Sequence, residues 1–404
     1  LAPTRCKLYH HREFFLILES EQEDGMSRKG TFLTTLLLIA GSLTSVAWGS
    51  PQAKRLWSAE DVFRLKSISD LQISSDGQTL YFVLSEKSLG ENGSISSLWS
   101  MPAEGGAPRQ LTNPEQSVSS PRLSPDGTQI AFFSTRDDEL GLWVTNADGS
   151  GEKNLTALET SNAYLGMTGN ELAWSPDGRT LAYTAAGPRH YPYDPTPLTP
   201  PTGNDVMVVD RLLFKTFYYY SDLRRTYVWL ISAEEGTPKQ IASGDYDYHS
   251  LSYSPDGKWI ACVSNRTGED DYNANNDLCL LSTDGKEMVQ LTDTIGPEYW
   301  PVWSPTGEQI LYLNRLRDHR SKESDAELYK VNVIPRSGGT PTDLTAPLDR
   351  WSSSPIWSDD GETVYFKAQN HGRVGIYSAP PRGGKVDRVF EEDAQVGDFC
   401  LGPK

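Results

Sequence analysis
One four-residue phrase recurs six times along this chain and restricts the folds open to it. Ser-Ser-Asp-Gly begins at Ser74, Ser-Pro-Asp-Gly at Ser124, Ser175 and Ser254, Ser-Pro-Thr-Gly at Ser304 and Ser-Asp-Asp-Gly at Ser358. The steps between them are 50, 51, 79, 50 and 54 residues. In such a phrase Pro presets φ, Asp bonds its own backbone and Gly accepts the left-handed position, so each copy marks a tight turn between strands. Short strands repeating every 40–50 residues or so are the signature of propeller blades. The expected fold is all-β: a β-propeller of four-stranded blades, six recognisable, with the start of a seventh. The blades fall near residues 68–112, 117–156, 167–242, 247–292, 297–345 and 350–390, with a partial one at 394–404.

The second repeat shows the pattern within a blade. Pro121-Arg122-Leu123 reads as a first strand and Gln129-Ile130-Ala131-Phe132-Phe133 as a second, β-branched and aromatic. After a loop over residues 134–141, Leu142-Trp143-Val144 makes the third strand and Asn154-Leu155-Thr156 the fourth. Two of the connections are short and uniform, which leaves one face of the disc plain. The second-to-third loops and the links between blades vary, and antiparallel order gathers them on the opposite face, where function concentrates. The longest insertion, residues 188–222, is rich in Pro and Tyr: Tyr191, Tyr193, Tyr218, Tyr219 and Tyr220. It reads as a partner-binding or gating loop, or as a surface excursion packed on its own blade.

Histidines follow the same face. His190, His319 and His371 lie in second-to-third loops and His249 precedes a first strand. No ligand spacing accompanies them, so solvated loop histidines are expected, with no metal and no cofactor. A metal-dependent lyase would need these four to converge on the axis. Asp271, Asn273, Asn275 and Asp277 alternate like a calcium loop, but Ser282 stands where the bidentate Glu belongs, and Asx hydrogen bonds explain the pattern better.

A cysteine pair breaks the blade pattern. An aromatic on the second strand answers one on the third at Phe82 and Trp99, Phe132 and Trp143, Tyr183 and Trp229, Tyr312 and Tyr329, Phe366 and Tyr377. In the fourth blade both places hold cysteine, Cys262 and Cys279. If the aromatics are cross-strand neighbours the sulfurs are too, within disulfide range; a bond or two buried thiols are both open.

The ends and the charge set the compartment and the partners. Residues 1–25 are unpatterned and read as translation upstream of the true start, the alternative being a structured N-terminal arm. Residues 26–49 form an export signal: Arg28 and Lys29, an apolar run, then Ala47-Trp48-Gly49. Residues 50–67 are a lead-in with a short helix, and residues 68–404 the propeller. The chain is expected to be periplasmic or secreted, with no membrane attachment after cleavage. Basic and acidic residues cancel within residues 1–49, so the net charge of −17 falls on the remainder. That surface repels phosphate, which argues against nucleic acid as a partner.

From Ser58 onward the chain resembles the N-terminal propeller of the prolyl oligopeptidase family of serine peptidases, in its acylaminoacyl-peptidase and dipeptidyl-peptidase five branch. The residues that carry the resemblance are Ser58-Ala59-Glu60-Asp61-Val62-Phe63-Arg64-Leu65, Asp210-Arg211-Leu212-Leu213-Phe214-Lys215, Ser243-Gly244-Asp245-Tyr246-Asp247, Val263-Ser264-Asn265-Arg266-Thr267 and Asp271-Tyr272-Asn273-Ala274-Asn275-Asn276-Asp277-Leu278. The repeats alone are also similar to those of TolB-like proteins. The family resemblance implies a propeller that filters and binds peptides for a hydrolase domain. No Gly-x-Ser-x-Gly elbow occurs in these 404 residues, so no catalytic residue carries over and no peptide hydrolysis is expected of the chain. The other reading is a free-standing periplasmic propeller that binds a protein partner.

Overall fold
The computed structural model describes residues 6–11, 13–18, 58–88, 93–113, 115–137, 139–159, 169–187, 224–270, 272–273, 275–315, 328–390 and 395–403. His190, Tyr191, Tyr193, Tyr218, Tyr219, Tyr220 and His319, Asp271 and the expected signal at 26–49 lie outside the described residues. Six four-stranded antiparallel sheets follow one another along the chain, over residues 66–110, 118–157, 172–240, 249–290, 298–343 and 352–390. They are called blades 1 to 6. The first strand of each blade packs beside the first strand or inner part of its neighbour, while outer strands such as Met288–Gln290 are exposed. A short 3-10 helix, Ala59–Arg64, leads in, with the Ser58 N–H donating to Asp61 Oδ2 at 2.9 Å.

The recurring phrase is a turn held by its own side chains. In blade 2 Ser124 Oγ donates to Asp126 Oδ1 (2.6 Å) and accepts from the Gln129 N–H (2.9 Å). Asp126 Oδ1 also accepts from the Thr128 N–H at 3.0 Å, and Gly127 sits at φ 72°. The Ser-to-Asp bond repeats at 2.5–2.6 Å in blades 1, 3, 4 and 6. In blade 5 the Thr306 hydroxyl takes the place of the carboxylate, 3.2 Å from Ser304 Oγ.

The second residue of the first five phrases has a further use: it packs on the glycine of the next blade's turn. A methyl group on Gly178 would lie 3.9 Å from Pro125, on Gly257 3.7 Å from Pro176, on Gly307 3.4 Å from Pro255 and on Gly361 3.5 Å from Pro305. Ser75 meets Gly127 in the same way, and Gly77 of blade 1 meets Pro403 at 3.0 Å. Pro403 therefore holds the place of a motif proline at a seventh position.

That position is occupied by the strand Phe399–Leu401, set between blades 6 and 1. Phe399 packs with Ile376 and Phe390 of blade 6, and Cys400 against Leu71 and Phe82 of blade 1. Asp398 Oδ2 accepts from the Leu71 N–H at 3.0 Å, and Lys367 Nζ donates to the Gly397 carbonyl at 2.6 Å. Cys6–His11 and Glu13–Leu18 form an antiparallel hairpin, and its second strand pairs in parallel with Phe399–Leu401, Ile17 opposite Cys400. The strand start expected at 394–404 is thus a ring position packed on both sides.

Two local expectations are corrected. Residues 134–141 are not a loop: the strands run on to Arg136 and Glu139, which pair, leaving a two-residue connection. Blade 6 is similar, with Asn370 paired to Arg373 across His371 and Gly372, both at positive φ. Long second-to-third segments belong to blades 3, 4 and 5. The aromatic pairing also fails once. Phe82 with Trp99, Phe132 with Trp143, Tyr183 with Trp229 and Phe366 with Tyr377 are register partners, but Tyr312 opposes Asn332 and Tyr329 opposes Arg315. The third strand of blade 5 starts at Tyr329, so that ring lies at the strand end, where the Arg315 guanidinium covers it at 5.6 Å.

Candidate functional site
The first strands carry a feature the sequence hid. Four residues before the motif serine the backbone turns left-handed at Asp70, Ser120, Ser250, Trp300 and Ser354, with φ between 48° and 61°. Pairing skips a register at each. Neither Gly nor Asn marks these positions, so the signal is absent from local sequence; the sheet imposes the bulge, and bulges re-aim side chains. On the long-loop side of these bulges, blades 2, 3 and 4 line a half-open cavity of about 150 Å³. Phe133, Leu140, Leu158 and Ala185 line one part of it with apolar groups, and Ser119, Glu171, Thr184, Thr226 and His249 supply polar ones.

Burial drives the Glu171 carboxyl upward from its ordinary pKa, with Arg122 pulling the other way. That guanidinium is otherwise engaged: it donates to Asp70 Oδ1 (3.2 Å), the Pro121 carbonyl (2.7 Å) and Asn170 Oδ1 (2.6 Å), and so ties blades 1, 2 and 3 together. His249 corrects the expectation of a solvated histidine. It is only 3% exposed, and burial pushes its pKa down to about 4, so the ring is neutral. Its Nδ1 lies 2.9 Å from Ser250 Oγ. This is no nucleophile and base: Ser250 is wholly buried, and the Nε2 atom meets no carboxylate. His371 is an exposed turn residue two blades away.

Around the cavity the same face carries charge clusters and exposed rings. Arg225, at the head of the third strand of blade 3, donates to Asp245 (2.7 Å), Asp247 (2.9 Å) and Asp270 (2.6 Å). Arg266 lies over the rings of Tyr246 and Tyr248, 4.2 and 5.3 Å from their centroids, and bonds the Tyr248 hydroxyl. Of the exposed large hydrophobic residues described, Val62, Phe63, Leu65, Tyr272, Ile295 and Trp351 belong to this face; only Met288 and Val289 stand on an outer strand. The Asx reading of the alternating segment holds in its described part. Asn273 Oδ1 accepts from the Asn275 N–H (3.0 Å) and from Asn265 Nδ2 (2.9 Å).

Beneath the rim, between blades 4 and 5, lie two buried acids. Glu298 accepts from the Leu278 N–H (3.1 Å), the Thr294 hydroxyl (2.7 Å) and the Thr292 hydroxyl. Burial outweighs these bonds and raises its pKa to about 7. Asp277, close by, is raised to about 7 by burial and by the Glu298 charge. Cys262 and Cys279 are register partners and free thiols, both fully buried, so adjacency is present without a bond. Burial raises both pKa values, that of Cys279 to about 12.

Comparison with known proteins bears on the fold. Residues 74–192 match the family described as the dipeptidyl peptidase IV N-terminal region. The chain is a β-propeller similar in sequence to the propeller region of peptidase-family proteins. It is 26% identical over 372 residues to the uncharacterized peptidase YuxL of Bacillus subtilis, covering 87% of this chain and 54% of that protein. It is 24% identical over 396 residues to dipeptidyl-peptidase 5 of Porphyromonas gingivalis, covering 93% and 55%. The chain thus spans about half the length of the curated relatives it matches. Pyrococcus horikoshii acylaminoacyl peptidase shares the fold at a TM-score of 0.60 and 18% identity, over 84% of this chain and 48% of that one.

Proposed function
We propose that this propeller binds peptides on its long-loop face, as the substrate-filtering part of an exported prolyl oligopeptidase-type peptidase. One observation carries the reading. The cavity, the neutral His249, the Glu171 carboxyl and most exposed apolar side chains share one face, while the opposite face is a circle of near-identical turns. A face of uniform turns offers no selectivity; a face with a pocket and a rim of aromatic side chains does.

Fluorescence anisotropy with a labelled, unstructured peptide mixture tests this. Trp351→Ala and Tyr272→Ala should weaken binding, and Met288→Ala, on an outer strand, should leave it unchanged. Absence of peptide binding, or equal loss in all three variants, would refute the reading. Capture of a folded protein in place of peptides would favour the other role, recruitment of a protein partner.

A further inference from the structure
We propose that the cavity between blades 2, 3 and 4 is a subsite for a primary ammonium group on a short apolar stem, which is the chemistry of a lysine side chain. The inference rests on the reading that this face binds peptides, and it names what one pocket selects. Three features of the cavity lead there. Its lining from Phe133, Leu140, Leu158 and Ala185 is apolar and would cover a hydrocarbon stem. Its volume, about 150 Å³, matches that of an engineered cavity that takes up benzene, so a four-carbon stem and its head group fit. Its acid, Glu171, forms no ion pair or side-chain hydrogen bond among the described residues.

The surrounding charges leave that acid to the ligand. Arg122, the cation that acts on it, is already held by Asp70, Asn170 and a carbonyl. His249 is neutral and does not compete as a cation. Glu171 is half-buried, and partial burial already disfavours its lone negative charge; an arriving ammonium relieves it through a charge-assisted bond. A carboxylate ligand would meet repulsion, and an uncharged alkyl group would leave Glu171 unpaired. The stem also separates a lysine from a chain-end amine, whose ammonium sits directly on the backbone and would leave the apolar lining unfilled.

The test uses the intact chain and small probes: n-butylammonium, n-butanol and butyrate, followed by saturation-transfer NMR. Butylammonium should bind best. Glu171→Gln, close in shape, should weaken it by about tenfold or more while leaving butanol unchanged, with an unaltered melting temperature showing that the fold persists. Two peptides separate the sources of the ammonium: Nα-acetyl-Gly-Lys-Gly-amide should compete with butylammonium, and Gly-Gly-Gly-amide with its free amine should not. Equal binding of butanol and butylammonium, no effect of Glu171→Gln, or competition by the free-amine peptide alone would each overturn the assignment. Because the probes are not peptides, failure here with intact peptide binding rejects the subsite and spares the broader reading.

Discussion

Glu298→Gln should stabilise the protein at alkaline pH and flatten its pH profile. Glu298 is wholly buried, and its pKa is raised from 4.5 to about 7. In the unfolded chain the same carboxyl ionises near its ordinary value. The folded state therefore keeps the proton to higher pH than the unfolded state does, and stability falls as pH rises between those two values. The gap of about two and a half pH units corresponds to about 3 kcal/mol lost by pH 8, relative to a side chain that stays neutral. Glutamine is such a side chain: its oxygen can accept from the Leu278 N–H and the Thr292 hydroxyl as the carboxyl does. Urea melts followed by tryptophan fluorescence at pH 5, 6, 7 and 8 give the comparison. The two proteins should be close in stability at pH 5, and the variant more stable by about 3 kcal/mol at pH 8. Parallel profiles, or a variant weaker at every pH, would show that Glu298 is ionised in the fold and that burial is not the dominant cause.

Other outcomes follow from the same structure. Arg225→Ala removes the guanidinium that Asp247 and Asp270 share, leaving two largely buried carboxylates without its charge, and should cost about 2 kcal/mol; Asp245→Asn, at a carboxylate 88% exposed, should cost under about 0.5 kcal/mol by the same urea melts. Gly307→Ala forces a methyl group into φ 73° against Pro255 and should destabilise by about 1 kcal/mol, read as a fall in melting temperature. Cys262 and Cys279 should resist a thiol reagent in the native protein and both react after unfolding without reductant; recovery of neither would mean that they are bonded.

How much of this was legible in the sequence depended on where the information lay. The turns were legible because Ser, Asp and Gly act locally: the Ser124 hydroxyl, the Asp126 carboxylate and the left-handed Gly127 all serve one hairpin. The seventh position was legible as the partial repeat at 394–404, and contact between Pro403 and Gly77 gives it a place in the ring. The bulges at Asp70, Ser120 and Ser250 were not, because the left-handed backbone there is imposed by pairing across the sheet. Glu171 was missed for a related reason. It sits beside no motif, and its meaning comes from Phe133 and Leu140 of blade 2 and His249 of blade 4, which only the ring brings together. His249 was chosen for its position at the start of a first strand and misjudged as solvated, since a residue at a strand start is exposed or buried according to the neighbouring blade.

Photo-crosslinking offers the most direct test that the long-loop face is where this propeller binds. Peptides carrying a benzophenone group would be irradiated with the intact chain and the adducts located by mass spectrometry. Adducts are expected near Tyr272, Ile295, Trp351 and the cavity at Glu171. Adducts concentrated on the turns around Asp126, Asp177 and Asp256, or spread evenly over both faces, would contradict it.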